Sequence, residues 1–154
     1  LHTYRQSVFL GLSYGLDIRF TPRHPFNPLK ALRLLAGTEA DLAMVRRAFS
    51  FVFERGRAPD TEEELEAFAE LLGVPLSLAS EDASKAALRA NTDQAIERGV
   101  FGVPSFVCET ASGHEVFWGV DAFDLLKAWL NDATLFEREP YRHLDDVTIG
   151  ITRK

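Results

Sequence analysis

Cysteine is nearly absent from this sequence: Cys108 stands alone in 154 residues. One thiol excludes an internal disulfide framework and a C-x-x-C redox pair within these residues, and it suits a reducing, cytoplasmic setting. Long apolar runs are missing too. None approaches the ~20 residues that cross a bilayer, and the opening stretch 1–15 is broken by Arg5, Gln6 and Ser13, unlike a secretory leader. No membrane partner is expected. Positive charge is in the minority, with 17 Lys and Arg against 23 Asp and Glu, a net charge of −6. Bulk electrostatic binding of nucleic acid needs the opposite balance, so no nucleic-acid partner is expected either. There is no glycine-rich phosphate loop and no serine-hydrolase elbow. The four histidines, His2, His24, His114 and His143, lack metal-ligand spacing, and no metal is expected.

What is present suffices for a compact domain with a core. Helix signals dominate. His2 to Gly15 reads as a helix with Val8, Phe9, Leu12 and Leu16 toward one side, followed by a short extended segment at Asp17–Phe20. Pro22, Pro25 and Pro28 make a rigid turn region, and Asn27 is placed to cap a helix from Pro28 to Ala36. Thr38 and Asp41 resemble a capping pair for the next helix, whose face is Leu42, Val45, Phe49, Val52 and Phe53. Thr61 and Glu64 form a capping box. Leu65, Phe68, Ala69 and Leu72 then face inward, and Gly73 stops that helix. Ser80 to Arg98 is an alanine-rich helix (Ala83, Ala86, Ala87, Ala90, Ala95) whose small residues suit close packing; Gly99 ends it.

The stretch from Phe101 to Leu130 is the most informative. Pro104–Cys108 and Glu115–Trp118 read as two strands of an antiparallel hairpin turning at Ser112-Gly113. A helix follows over Asp121–Leu130, with Ala122, Phe123, Leu126, Trp129 and Leu130 on its buried face. Pro104 has no N–H to donate, so it belongs at a strand start, an edge or a special turn. The residues alone leave two readings of Val103-Pro104 open. A trans proline starts an edge strand; a cis proline frees the Val103 main chain to pair with an extended peptide. Asp121 likewise has two compatible readings: a carboxylate capping the helix, and a partner for a ligand's ammonium group beside free amides at Val120 and Asp121. Trp118 and Phe101 suit the wall of an aromatic pocket or, more plainly for Phe101, the core. Cys108 reads as a small hydrophobe in a strand. Arg19, Arg23, His24, Lys30 and Arg33 are close in sequence and suit either a local basic pocket or a solvated surface.

Three segments carry a resemblance: Gly99-Val-Phe-Gly-Val-Pro-Ser-Phe-Val107, Phe117-Trp-Gly-Val-Asp121, and His24-Pro-Phe-Asn-Pro-Leu-Lys-Ala-Leu-Arg33. Over residues 4–130 the sequence resembles the 2-hydroxychromene-2-carboxylate isomerases. These are glutathione-dependent members of the thioredoxin superfamily, close to kappa-class glutathione transferases and more distantly related to DsbA-type oxidoreductases. The resemblance implies an α/β, predominantly helical, thioredoxin-like fold of the DsbA/kappa type with a helical insertion. It divides the chain into a partial thioredoxin-like domain (1–27 and 99–131), an inserted helical domain (28–98) and a tail (132–154). It also implies an N-terminally truncated version, because the family's opening strand, serine-bearing helix and second strand have no counterpart here; the catalytic residue is therefore unknown.

The function so implied is cis–trans isomerisation of a small aromatic acid in aromatic catabolism, with glutathione as cofactor. The resemblance places glutathione at Val103, Pro104, Val120 and Asp121, and favours a cis Val103-Pro104 peptide. It places the substrate at Asn27, Lys30, Arg33 and Trp118, where Asn27 doubles as a helix cap. Val120 departs from the family, which often has a small hydroxyl residue there. Two alternatives share these residues: a DsbA-like thiol-disulfide oxidoreductase, and a non-catalytic self-associating module. A homodimer or other homo-oligomer is expected, because loss of sheet centre leaves an open edge.

Overall fold

A computed structural model describes residues 2–148 and 150. The chain divides into two compact units, 1–93 and 94–154, each with its own apolar cluster.

In the first unit, α1 (His2–Ser13) ends before Gly15, which has φ +74°. Its packed face is not the expected one. Phe9 is 70% and Leu12 63% exposed, whereas the buried position is Gly11, on which the Ile18 side chain rests. The chain doubles back after Gly15 and lays Ile18 on a residue without a side chain, so a count of apolar residues misses that face. The expected strand at Asp17–Phe20 has no strand partner among the described residues; Arg19 N–H instead donates to Phe53 C=O at 2.6 Å.

α2 (Leu29–Gly37) buries Ala31 and Leu34. Thr38, expected to open the next helix, closes this one, its hydroxyl donating to the Leu34 and Leu35 carbonyls. Asp41 caps α3 (Leu42–Phe49) by accepting the Met44 N–H at 2.7 Å. α3 then continues into a π-helical turn, Ser50–Glu54. That wider turn rotates the following side chains relative to a regular helix. Phe51 is fully buried, one turn on from buried Ala48, while Phe49 and Leu42, expected inside, are 59% and 67% exposed; the buried stripe runs one position off the expected one already within α3.

α4 (Glu62–Leu72) matches its sequence signals. Thr61 accepts the Glu64 N–H, Gly73 adopts φ +74° at the stop, and Leu65, Phe68, Ala69 and Leu72 are buried. The Phe51 and Phe68 rings meet edge to face at 5.2 Å between centroids. The Arg57 guanidinium lies over the Phe51 ring while pairing with Glu64 at 2.8 Å. A 3-10 turn (Leu76–Ala79) leads to α5 (Asp82–Glu97), inside which the two units divide. The alanines of α5 do not form its packed stripe. Ala83, Ala86 and Ala90 are exposed, and the tight contact is Ser84 against Gly37 of α2.

In the second unit, β1 (Ser105–Thr110) and β2 (Gly113–Trp118) form the expected antiparallel hairpin, pairing Ser105 with Trp118, Phe106 with Phe117 and Cys108 with Glu115. Opposed residues share a face. The face with Phe117 and Cys108 packs on α6 (Phe123–Asn131) through Leu126 and Trp129. The opposite face carries Glu109 and His114, which engage Arg98: its guanidinium reaches Glu109 at 3.1 Å, and its carbonyl meets His114 Nε2 at 3.0 Å. Phe123 and Leu130, expected inside, are exposed. A second layer of rings, Phe136 on Phe117 and Tyr141 on Phe136, comes from 3-10 turns at Leu135–Glu137 and Tyr141–Asp146. Among the described residues no helix is long and apolar enough to cross a membrane.

Candidate functional site

The second unit holds five of the expected site residues, and four of them meet at two turns. Gly119 N–H donates to Pro104 C=O at 2.9 Å, which ties the turn before β1 to the turn before α6. Val103, Pro104, Val120 and Asp121 thereby become neighbours. The Val103-Pro104 peptide is cis, as are His24-Pro25 and Glu139-Pro140. Val103 is 88% exposed, and among the described residues neither its N–H nor its C=O has a hydrogen-bond partner. The Ser105 hydroxyl donates to Gly102 C=O at 2.7 Å and anchors the turn from the other side.

The start of α6 leaves further donors open. Ala122 N–H donates to Gly119 C=O and Phe123 N–H to Val120 C=O, while the N–H groups of Val120 and Asp121 have no partner among the described residues. Such amides, at the positive end of a helix, favour an anion. The capping expectation for Asp121 is not met: Ala122 holds the cap position, and no side chain caps this helix. The Asp121 carboxylate instead folds back over Gly119, whose φ is +95°, and it has no hydrogen-bond or ion-pair partner among the described residues. One turn therefore presents two free amides and one free carboxylate side by side, a pattern suited to a zwitterion.

Trp118 closes this cluster. Its ring is half exposed and lies over Gly102, with the Phe101 ring 5.0 Å away and likewise exposed rather than in the core. Gly102 and Gly119 were missed as site residues. Their signal was a glycine directly after an aromatic residue, at places where a side chain would fill the space that Trp118 or Asp121 takes. Cys108 is half-buried against the Phe117 cluster, in keeping with a small apolar residue.

The remaining expected residues lie in the first unit. Asn27 Oδ1 accepts the Leu29 N–H at 3.1 Å, so it serves the start of α2. Lys30 is exposed. Arg33 is half-buried and donates to Ala79 C=O across 3.5 Å. The run of basic residues does not become one pocket. Arg19 pairs with Asp17 at 2.9 Å, Arg23 with Asp60 at 2.7 Å, and His24 Nδ1 meets the Tyr4 hydroxyl at 2.9 Å. Nearby carboxylates and a phenol engage Arg19, Arg23 and His24, in keeping with the solvated-surface reading of that run.

Among curated proteins no sequence matches this chain. A solved structure of 2-hydroxychromene-2-carboxylate isomerase is similar in fold, at 23% sequence identity and a TM-score of 0.67, over 96% of this chain and 70% of that one. The family described as DSBA-like thioredoxin domain matches residues 8–131. The thioredoxin-like, mainly helical architecture expected from the sequence is thus the fold of this protein. With most of its length matched, the chain belongs to the family of DSBA-like thioredoxin domains.

Proposed function

We propose that this protein binds glutathione along Val103-Pro104 and serves a glutathione-dependent cis–trans isomerisation of a small aromatic acid, as in the 2-hydroxychromene-2-carboxylate isomerases. The observation that carries this reading is the unpaired main chain of Val103, held beside the free amides of Val120 and Asp121 by the Gly119–Pro104 bond. An extended peptide needs one donor and one acceptor in strand register, which Val103 supplies. A γ-glutamyl end brings a carboxylate for the two amides and an ammonium for the Asp121 carboxylate. Val120 adds no hydroxyl, so its contribution is confined to the main chain. Glutathione supplies the thiol that adds to and leaves a conjugated substrate. The exposed Trp118 and Phe101 rings offer such a planar acid an apolar wall.

Self-association is part of the same reading. The two-stranded sheet has open edges, and Phe101, Phe106 and Val120 are exposed beside it.

Isothermal titration with reduced glutathione tests the ligand. Saturable binding is expected, weakened about tenfold by Asp121→Asn through loss of one charge-assisted bond. Absence of binding at about 10 mM glutathione, an affinity weaker than about 3 kcal/mol, would remove the proposal.

A further inference from the structure

A groove of about 580 Å3 lies between α2 and α5 within the first unit, and none of its residues belongs to the Val103–Asp121 cluster. Its floor is aliphatic, from Leu29 and Leu88, and no aromatic ring lines it. Its walls carry Arg33, Lys85 and Arg89, with Asp93 as the one acidic lining residue. Lys85 is engaged by Asp82 at 2.8 Å, outside the groove lining. The two arginines are less committed. Among the described residues neither guanidinium has a carboxylate within ion-pair distance, and Arg33 spends one donor on the long bond to Ala79 C=O. A guanidinium has five donors in a planar fork that matches a carboxylate. Arg33 is also half-buried, where a charge left unpaired costs more than on open surface.

We infer that this groove binds an organic carboxylate with an aliphatic body, its headgroup between Arg33 and Arg89 and its chain along Leu29 and Leu88. The two arginines call for an anion, and Asp93 keeps the net charge of the walls low enough to favour a monoanion over a phosphate dianion. The leucine floor requires an apolar body, and the lack of an aromatic lining residue favours an alkyl chain over a ring.

The test is titration of the full chain with hexanoate, followed by amide NMR shifts on α2 and α5. Saturable shifts at Arg33 and Arg89 are expected. Arg33→Gln with Arg89→Gln should weaken binding about tenfold, the effect of losing charge-assisted pairs. Asp82→Asn, which releases Lys85 toward the groove, should strengthen it about twofold, in keeping with an exposed ion pair. Acetate, which lacks four of hexanoate's methylenes, should bind on the order of a hundredfold more weakly if the chain is buried along the leucines. Failure of the native protein to saturate, or an unchanged affinity in the folded double-glutamine variant, would overturn the inference. Inorganic phosphate binding as tightly as hexanoate would overturn the choice of an organic carboxylate. Asp121→Asn should leave hexanoate binding unchanged, which separates failure here from failure of the glutathione reading.

Discussion

The carboxylate of Asp121 occupies the space that a side chain on Gly119 would need, and Gly119 holds φ +95°. Alanine there meets two obstacles: the Asp121 carboxylate has to move aside, and the backbone sits where side chains are disfavoured. Gly119→Ala is expected to destabilise the second unit by more than about 1 kcal/mol, the usual cost of alanine at positive φ. It should also push the Asp121 carboxylate away from the free amides. Calorimetric titration should therefore show glutathione affinity reduced as far as in Asp121→Asn, while the thermal midpoint falls only in the glycine variant. Equal thermal midpoints for native and Gly119→Ala protein would contradict the packing.

Gly102 bears the same relation to Trp118. A Cβ on Gly102 would stand 2.5 Å from the indole nitrogen and 3.2 Å from a ring carbon. The ring is large and lies tilted against Phe101, so it moves as a body rather than yielding at a flexible tip. Gly102→Ala should shift Trp118 toward solvent and red-shift its fluorescence. Trp129 is buried in the other cluster and reports separately, so the comparison is made in a Trp129→Phe background.

Much of this could be read from the residues, for reasons that differ by element. Thr61, Glu64 and Gly73 signal α4 because capping and helix termination are local events, set by a few side chains and one left-handed glycine. The hairpin was legible for a similar reason, whereas the pairing of Pro104 with Asp121 in one site was an expectation from the family resemblance. Helix faces were harder. Phe49 is exposed because the buried stripe runs through the small Ala48 to Phe51, one position off the stripe that the large apolar residues mark. Arg33 illustrates a different limit. Its neighbours in the groove, Lys85 and Arg89, lie some fifty residues on in the chain. Thr38 is ambiguous in sequence because its hydroxyl can serve either the helix ahead or, as here, the one behind it.

Ser84 and Gly37 form the close crossing of α5 and α2, and the Ser84 hydroxyl is buried without a partner among the described residues. Removing an unpaired buried hydroxyl relieves its desolvation cost. Ser84→Ala is therefore expected to be neutral or stabilising by up to about 1 kcal/mol in chemical denaturation. Gly37→Ala should cost about 1–3 kcal/mol by overpacking. The two changes share one contact, so their effects should not add. A double variant whose stability equals the sum of the single changes would show that the helices do not meet there.

Asp82 opens α5, and Lys85 one turn on holds its carboxyl below the ordinary carboxylate range, first through a side-chain hydrogen bond and then through its positive charge. Burial works weakly in the opposite direction. A folded value below the unfolded one means that the unfolded chain binds more protons in the interval between them. The pair's contribution is thus present above the unfolded value and is lost as pH falls through the folded one. Because Asp82 is fully exposed, added salt should shrink the effect. Carboxyl-detected NMR titration should find Asp82 titrating below the solvent-exposed aspartates, and Lys85→Met should return it toward them. A titration unchanged by Lys85→Met would show that the bond to Asp82 does not persist in solution, and Asp82→Asn would then have no lysine to release.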